Sequence, residues 1–200
     1  MLKLVAALLI FAIPQEHVIP AEAPLAVPRL NKGTVEGRTY KNASVGIELT
    51  PDSKLKFRTP ELKGKPGTVQ SSLMVVALGE SKSGSAREST AFWAVPSAFY
   101  PVDQRSTDAF MRRVVEANQK DGLRPVRGSS EGVLGGVHFA RTDFVVREGP
   151  ARETVFVKAC DTLGLGFVIT GADQDTVDKL VAATELKFDL AISGCGSKAY

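Results

Sequence analysis

Apolar positions along this chain recur with two periods. In "SVGIELT", Val45, Ile47 and Leu49 fall at every second residue, which predicts a strand with one buried face. "LKFRTPELKGKPG" predicts a loop with a short strand at its start, and "SSLMVVALG", a continuous apolar run, predicts a central strand. "SKSGSARES" predicts a turn or loop, and "TAFWAVP" a further strand ended by Pro96. The period then lengthens. Phe110, Met111, Val114 and Val115 share one face of a helix that opens at Ser106 or Thr107 and closes at Asp121-Gly122. After "LRPVRG" and a serine-rich turn, "GGVHFARTDFVV" predicts a long strand entered through two glycines. "TVFVKAC" and "LGFVIT" predict antiparallel strands joined by "DTLGLG". A second helix is capped by Asp173 and carries Val177, Leu180, Val181 and Thr184 at helical spacing, and "LKF" closes the domain at Phe188.

The first residues do not share these patterns. Lys3 precedes the apolar run "LVAALLIFAI", which Pro14 follows, so residues 1–23 are expected to be a signal peptide. The run is shorter than the roughly 20 residues a membrane-spanning helix needs, so no stable span is expected after cleavage. Cleavage after Ala21 and after Ala23 both remain open, and the leader has no cysteine to carry a lipid. The expected destination is the periplasm or the extracellular space. Residues 24–38, with prolines and glycines and no sustained period, are expected to be a linker, residues 39–188 the domain and residues 189–200 a tail.

Composition limits the function classes. A chain of 200 residues with 44% hydrophobic content suits one self-sufficient domain. Its net charge of +3 is spread along the chain, unlike the concentrated basic face of a nucleic-acid binder.

Several residues invite chemistry. "GSSEG" at residues 128–132 fits G-x-S-x-G, with Ser130 as nucleophile. A nucleophile elbow needs a helix after the serine and a separate acid and histidine downstream. Here a strand pattern follows, His138 is the one downstream histidine, and Glu131 is too close in sequence to swing round and orient it, so the expectation is a turn. His17 lies in the leader, and alternation sends His138 to the face opposite Arg141 and Asp143, which favours a structural or surface role. "LGLG" at residues 163–166 lacks the Lys-Ser/Thr of a phosphate loop and reads as a hairpin turn. Lys54, Lys56, Arg58, Lys63 and Lys65 form the densest positive stretch, either a solvated loop that guards a sheet edge or a contact for an acidic partner or an anionic envelope surface. Cys160 and Cys195 allow one disulfide tying the tail to a strand; the alternative is a buried Cys160 and a free Cys195. No catalytic residue, metal site or cofactor is expected.

The two ends of the domain carry a resemblance. "TYKNASVGIEL", with Tyr40, Asn42 and Gly46, and "GFVITGADQDTVDKLVAATELKF", with Phe167, Ala172, Asp173, Leu180 and Phe188, resemble the opening and close of the PsbP-like superfamily. The similarity covers residues 39–188. It departs where many relatives have a Pro followed shortly by Trp: Pro51 is present, but Leu55 stands near the Trp position and Trp93 is elsewhere. The resemblance implies an α+β fold, an α/β/α sandwich with a mostly antiparallel sheet and two main helices. It also implies a superfamily whose members often bind proteins or assist assembly and are seldom enzymes. The resulting expectation is an exported, non-catalytic binding or assembly module of the cell envelope, acting on an unknown protein partner and not on nucleic acid. The alternatives are a serine hydrolase using Ser130, or a small-ligand carrier with a cleft between sheet and helix.

Overall fold

The computed structural model describes residues 30–63, 74–81, 88–146, 150–189, 192 and 195. In chain order these form β1 (Thr34–Glu36), β2 (Thr39–Asn42), β3 (Ile47–Thr50), β4 (Leu55–Phe57), β5 (Glu61–Lys63), β6 (Met74–Ser81) and β7 (Ser89–Pro96). Helix α1 (Thr107–Lys120) is followed by β8 (Leu123–Pro125), β9 (Ser130–Leu134), β10 (Val137–Val146), β11 (Arg152–Ala159), β12 (Leu163–Gly171), α2 (Gln174–Ala183) and β13 (Glu185–Phe188). Every strand pairing is antiparallel. A large sheet runs β4-β6-β7-β12-β11-β10-β8, with β5 also on β6 and β9 also on β10, and a small sheet runs β1-β2-β3-β13.

Both helices begin where a side chain can replace the missing backbone acceptor. Ser106 Oγ accepts the amide of Ala109 and Asp173 Oδ1 that of Thr176, as the two capping sequences predict. Helix α1 lays Phe110, Met111 and Val114 on one face of the large sheet, against Trp93, Phe144 and Val155. The opposite face receives α2, through Val177 and Leu180, and the small sheet, through Tyr40, Ile47, Leu49 and Leu186. Phe92, Phe139, Phe156 and Phe167 of the large sheet fill the space between. The fold is therefore α+β, a sandwich with a helix on each face and a small second sheet beside α2. Because β12 is covered on both faces, all its positions are buried, and its sequence reads as a continuous apolar run without alternation.

The structure corrects several local expectations. "LGLG" is not a turn: it lies inside β12, and the connection is the shorter 160–162 segment. Gly164 and Gly166 face α1, where an added Cβ would stand 2.6 Å from Phe110 and 2.0 Å from Trp93, so these glycines let aromatic rings lie on the strand. Ser130 opens strand β9 instead of sitting in a turn, and the turn that follows is Gly135-Gly136, both at positive φ. "ELK" adds strand β5, and β1 falls within the stretch read as linker, where Leu30 is already buried. A polar knot explains that early start. Buried Asn42 donates to Tyr40 Oη and Asn31 O, and its Oδ1 accepts the amides of Ser44 and Val45 and the Ser44 hydroxyl. Tyr40, whose pKa burial pushes up to about 12, donates to Lys32 O.

Candidate functional site

The serine that drew attention lies on the face of the sheet opposite His138. Strands β9 and β10 pair Ser130 with Arg141, Glu131 with Ala140 and Val133 with His138. Gly132 faces the α2 side, where a Cβ would lie 2.8 Å from Arg141 and 2.9 Å from Phe156, and alternation gives Ser130 the same face. Ala140 packs into the α1-side core, so His138, two residues away, shares the other face. Glu131 Oε1 does bond His138 Nδ1, against the expectation that a neighbour of Ser130 could not reach this ring. A diagonal across two antiparallel strands brings the side chains together. The dyad is exposed, and the sheet separates it from Ser130. Ser129 is no substitute: its Oγ is 2.8 Å from Thr142 Oγ1, and Thr142 is four strand residues, roughly 13 Å, from His138.

That hydroxyl pair belongs to a cleft of about 460 Å³ between α1 and the connection from β8 to β9. The cleft exists because β10, on its edge away from β11, lacks a regular strand partner at Thr142 and Asp143: the pairing with β8 ends at Phe144, that with β9 ends at Arg141, and the Val126 amide bonds Asp143 O between them. Met111, Val115 and Pro125 supply its apolar surface. Arg112 stands on the helix wall and Arg127 on the loop wall, with Asp108 and Glu116 on either side of Arg112 along α1. Arg127 reaches Asp143 Oδ2 only at 3.7 Å. The sequence pattern marks Met111 and Val115 as core residues and gives no sign of the loop opposite, so this cleft escapes sequence reading.

Behind it, Arg141 and Asp143 share a face as alternation predicts and bond at 2.9 Å. Asp143, nearly buried, also accepts from Thr154 Oγ1 at 2.7 Å, while Arg141 extends to Asp178 of α2 at 3.1 Å. Burial opposes the charge of Arg141, but its bonds to Asp143 and Asp178 hold its pKa above the ordinary value. By bonding Asp143 of β10 and Asp178 of α2 at once, Arg141 ties α2 to the sheet. Glu153, on the α1 side, accepts from Asn118 Nδ2 at 3.0 Å, and burial pushes its pKa up to about 7.

Among the proposed contact residues, Lys54, Lys56 and Arg58 are exposed on and around edge strand β4. Lys56 pairs with Glu80 across the strands. Lys63 lies on β5, on the same side of β6, and Lys65 lies outside the described residues. Cys160 and Cys195 stand at disulfide distance, their Cα atoms 4.5 Å apart, joining the end of β11 to the tail. Among the described residues no group of three His, Cys, Asp or Glu side chains is placed to hold a metal ion, and no helix is long and apolar enough to cross a membrane.

No family model matches the chain, and no curated protein matches it. Among solved structures it is similar to cyanobacterial PsbP (CyanoP) from Synechocystis sp. PCC 6803, with 13% identity and a TM-score of 0.45 over 78% of this chain and 98% of that one. A protein of Bacteroides thetaiotaomicron VPI-5482 is similar at 11% identity and a TM-score of 0.44, over 78% of this chain and 49% of that one. The chain thus spans about half the length of the second.

Proposed function

We propose that this protein is an exported, non-catalytic binding or assembly module of the cell envelope, periplasmic or extracellular, that engages a protein partner. The observation that carries the reading is the pairing of Cys160 with Cys195, chemistry that persists in oxidising compartments and is rare in reducing ones. The leader pattern of residues 1–23 points the same way. For the partner contact we favour the β4 edge, where Lys54, Lys56 and Arg58 project and suit an acidic surface. Two measurements on the protein in its host test this. Intact mass should lack the leader, with two thiols appearing only on reduction. Cross-linking should capture a discrete envelope protein, and the Lys54→Glu/Lys56→Glu/Arg58→Glu variant should lose it. A full-length mass with free thiols would overturn export, and cross-links indifferent to the charge reversal would move the contact elsewhere.

A second reading, a small-ligand carrier, is favoured by one observation, the cleft between α1 and the sheet. Its volume of about 460 Å³ lies in the range of small-molecule sites.

A further inference from the structure

We infer that the cleft between α1 and the 126–129 connection is a site for small amphipathic monocarboxylates, molecules with one carboxylate and a compact apolar body. The inference rests on the carrier reading and gives it a ligand chemistry. Three donor groups line the cleft: the guanidiniums of Arg112 and Arg127 and the hydroxyl pair of Ser129 and Thr142. Arg112 has no ion-pair partner among the described residues, and Arg127 is held only by its 3.7 Å approach to Asp143, so both guanidiniums keep N–H groups to offer. The Ser129 and Thr142 hydroxyls bond each other at 2.8 Å. One proton makes that bond, which leaves the pair a second proton for an acceptor in the cleft. Arg112 on the helix wall, Arg127 on the loop wall and the hydroxyl pair make the lining rich in donors, suited to a carboxylate's two oxygens.

The rest of the lining sets what the carboxylate is attached to. Met111, Val115 and Pro125 offer an apolar surface for a short aliphatic or aromatic body. Asp108 and Glu116 lie four residues before and after Arg112, so the groove, roughly 12 Å long on the helix side, is positive in the middle and negative at both ends. A second carboxylate on the ligand would meet one of these acids. The pattern therefore selects a single negative charge.

The test is a titration of the protein purified from its host, followed by NMR, with octanoate, 4-phenylbutyrate, their primary amides, and the peptide acetyl-Gly-Ala-Ala-Leu with a free or amidated terminus. The acids should saturate with Kd of about 0.1 to 1 mM and shift α1 and 126–129 resonances. The amides should bind at least about tenfold more weakly, and Arg112→Gln and Arg127→Gln, both at exposed positions and checked for unchanged Tm, should each weaken the acids about tenfold. Binding by the free-acid peptide alone would assign the carboxylate to a polypeptide terminus; binding by the small acids would assign it to a free metabolite, and either supports the site. Amides that bind as well as acids, or arginine variants without effect, would overturn the carboxylate assignment while leaving a carrier. No saturation by any probe would overturn both.

Discussion

Glu153 is the residue whose chemistry is most at odds with its surroundings. It is nearly fully buried on β11 beneath α1, it accepts a hydrogen bond from the Asn118 amide, and among the described residues Asn118 Oδ1 is itself buried without a hydrogen bond. Burial raises its pKa from 4.5 to about 7, and the Asp121 carboxylate adds to the rise. In the unfolded chain the carboxyl ionises near 4.5, whereas the folded protein keeps its proton until about 7. Stability contributed by the neutral form is therefore complete below pH 4.5 and is lost as pH rises to 7. Glu153→Gln keeps the neutral shape and puts an amide donor beside Asn118 Oδ1. Its Tm should match wild type near pH 4.5 and exceed it by about 5 °C at pH 8. Parallel Tm–pH curves for the two proteins would remove Glu153 as the source.

At the scale of elements, Gly164 and Gly166 of β12 set how closely the α1 helix and the Trp93 ring approach the strand. Gly166 is paired with Trp93 of β7, whose ring covers the missing side chain, and Gly164 receives the edge of Phe110 from α1. A Gly166→Val change places branched carbon where a Cβ alone would be 2.0 Å from Trp93 Cε2. The strand or the ring must move, and a cost of about 3 kcal/mol or more is expected in denaturant unfolding. Gly128→Ala, at an exposed position where a Cβ would meet nothing within 4 Å, is the control and should change stability by less than about 0.5 kcal/mol. Equal effects of the two would show that the Trp93 contact does not limit the strand's position.

For the whole molecule, the small sheet gathers the beginning and end of the domain, since β13 pairs with β3 and the tip of the β9–β10 hairpin packs on Leu186 through Gly135. The Cys160–Cys195 pair fastens the tail across a separation of 35 residues. A closed loop of that size restricts the unfolded chain by about 4 kcal/mol. Cys160→Ser/Cys195→Ser should lose about that much, and reduction of wild type should have the same effect. If reduction exposes two thiols with no change in unfolding midpoint, the bond carries no part of the stability.

The sequence alone determined the elements whose signals are local. Ser106 and Asp173 capped the helices because a side-chain oxygen satisfies an amide two or three residues on, and Val45, Ile47 and Leu49 announced the buried face of the small sheet by their period. Tyr40, Asn42 and Gly46 carried the superfamily resemblance, and the structure shows the polar knot and positive φ that require them. Only tertiary structure decided what depends on approach between distant segments. "LGLG" resembles a turn until Phe110 and Trp93 are laid against it, and Glu131 reaches His138 because two strands pair side by side. The same pairing puts Ser130 on the far face, and the cleft opens where β8 and β9 leave β10 uncovered beside α1. Period and composition report which residues seek burial; which surfaces meet, and what space they leave, is fixed when sheets and helices pack.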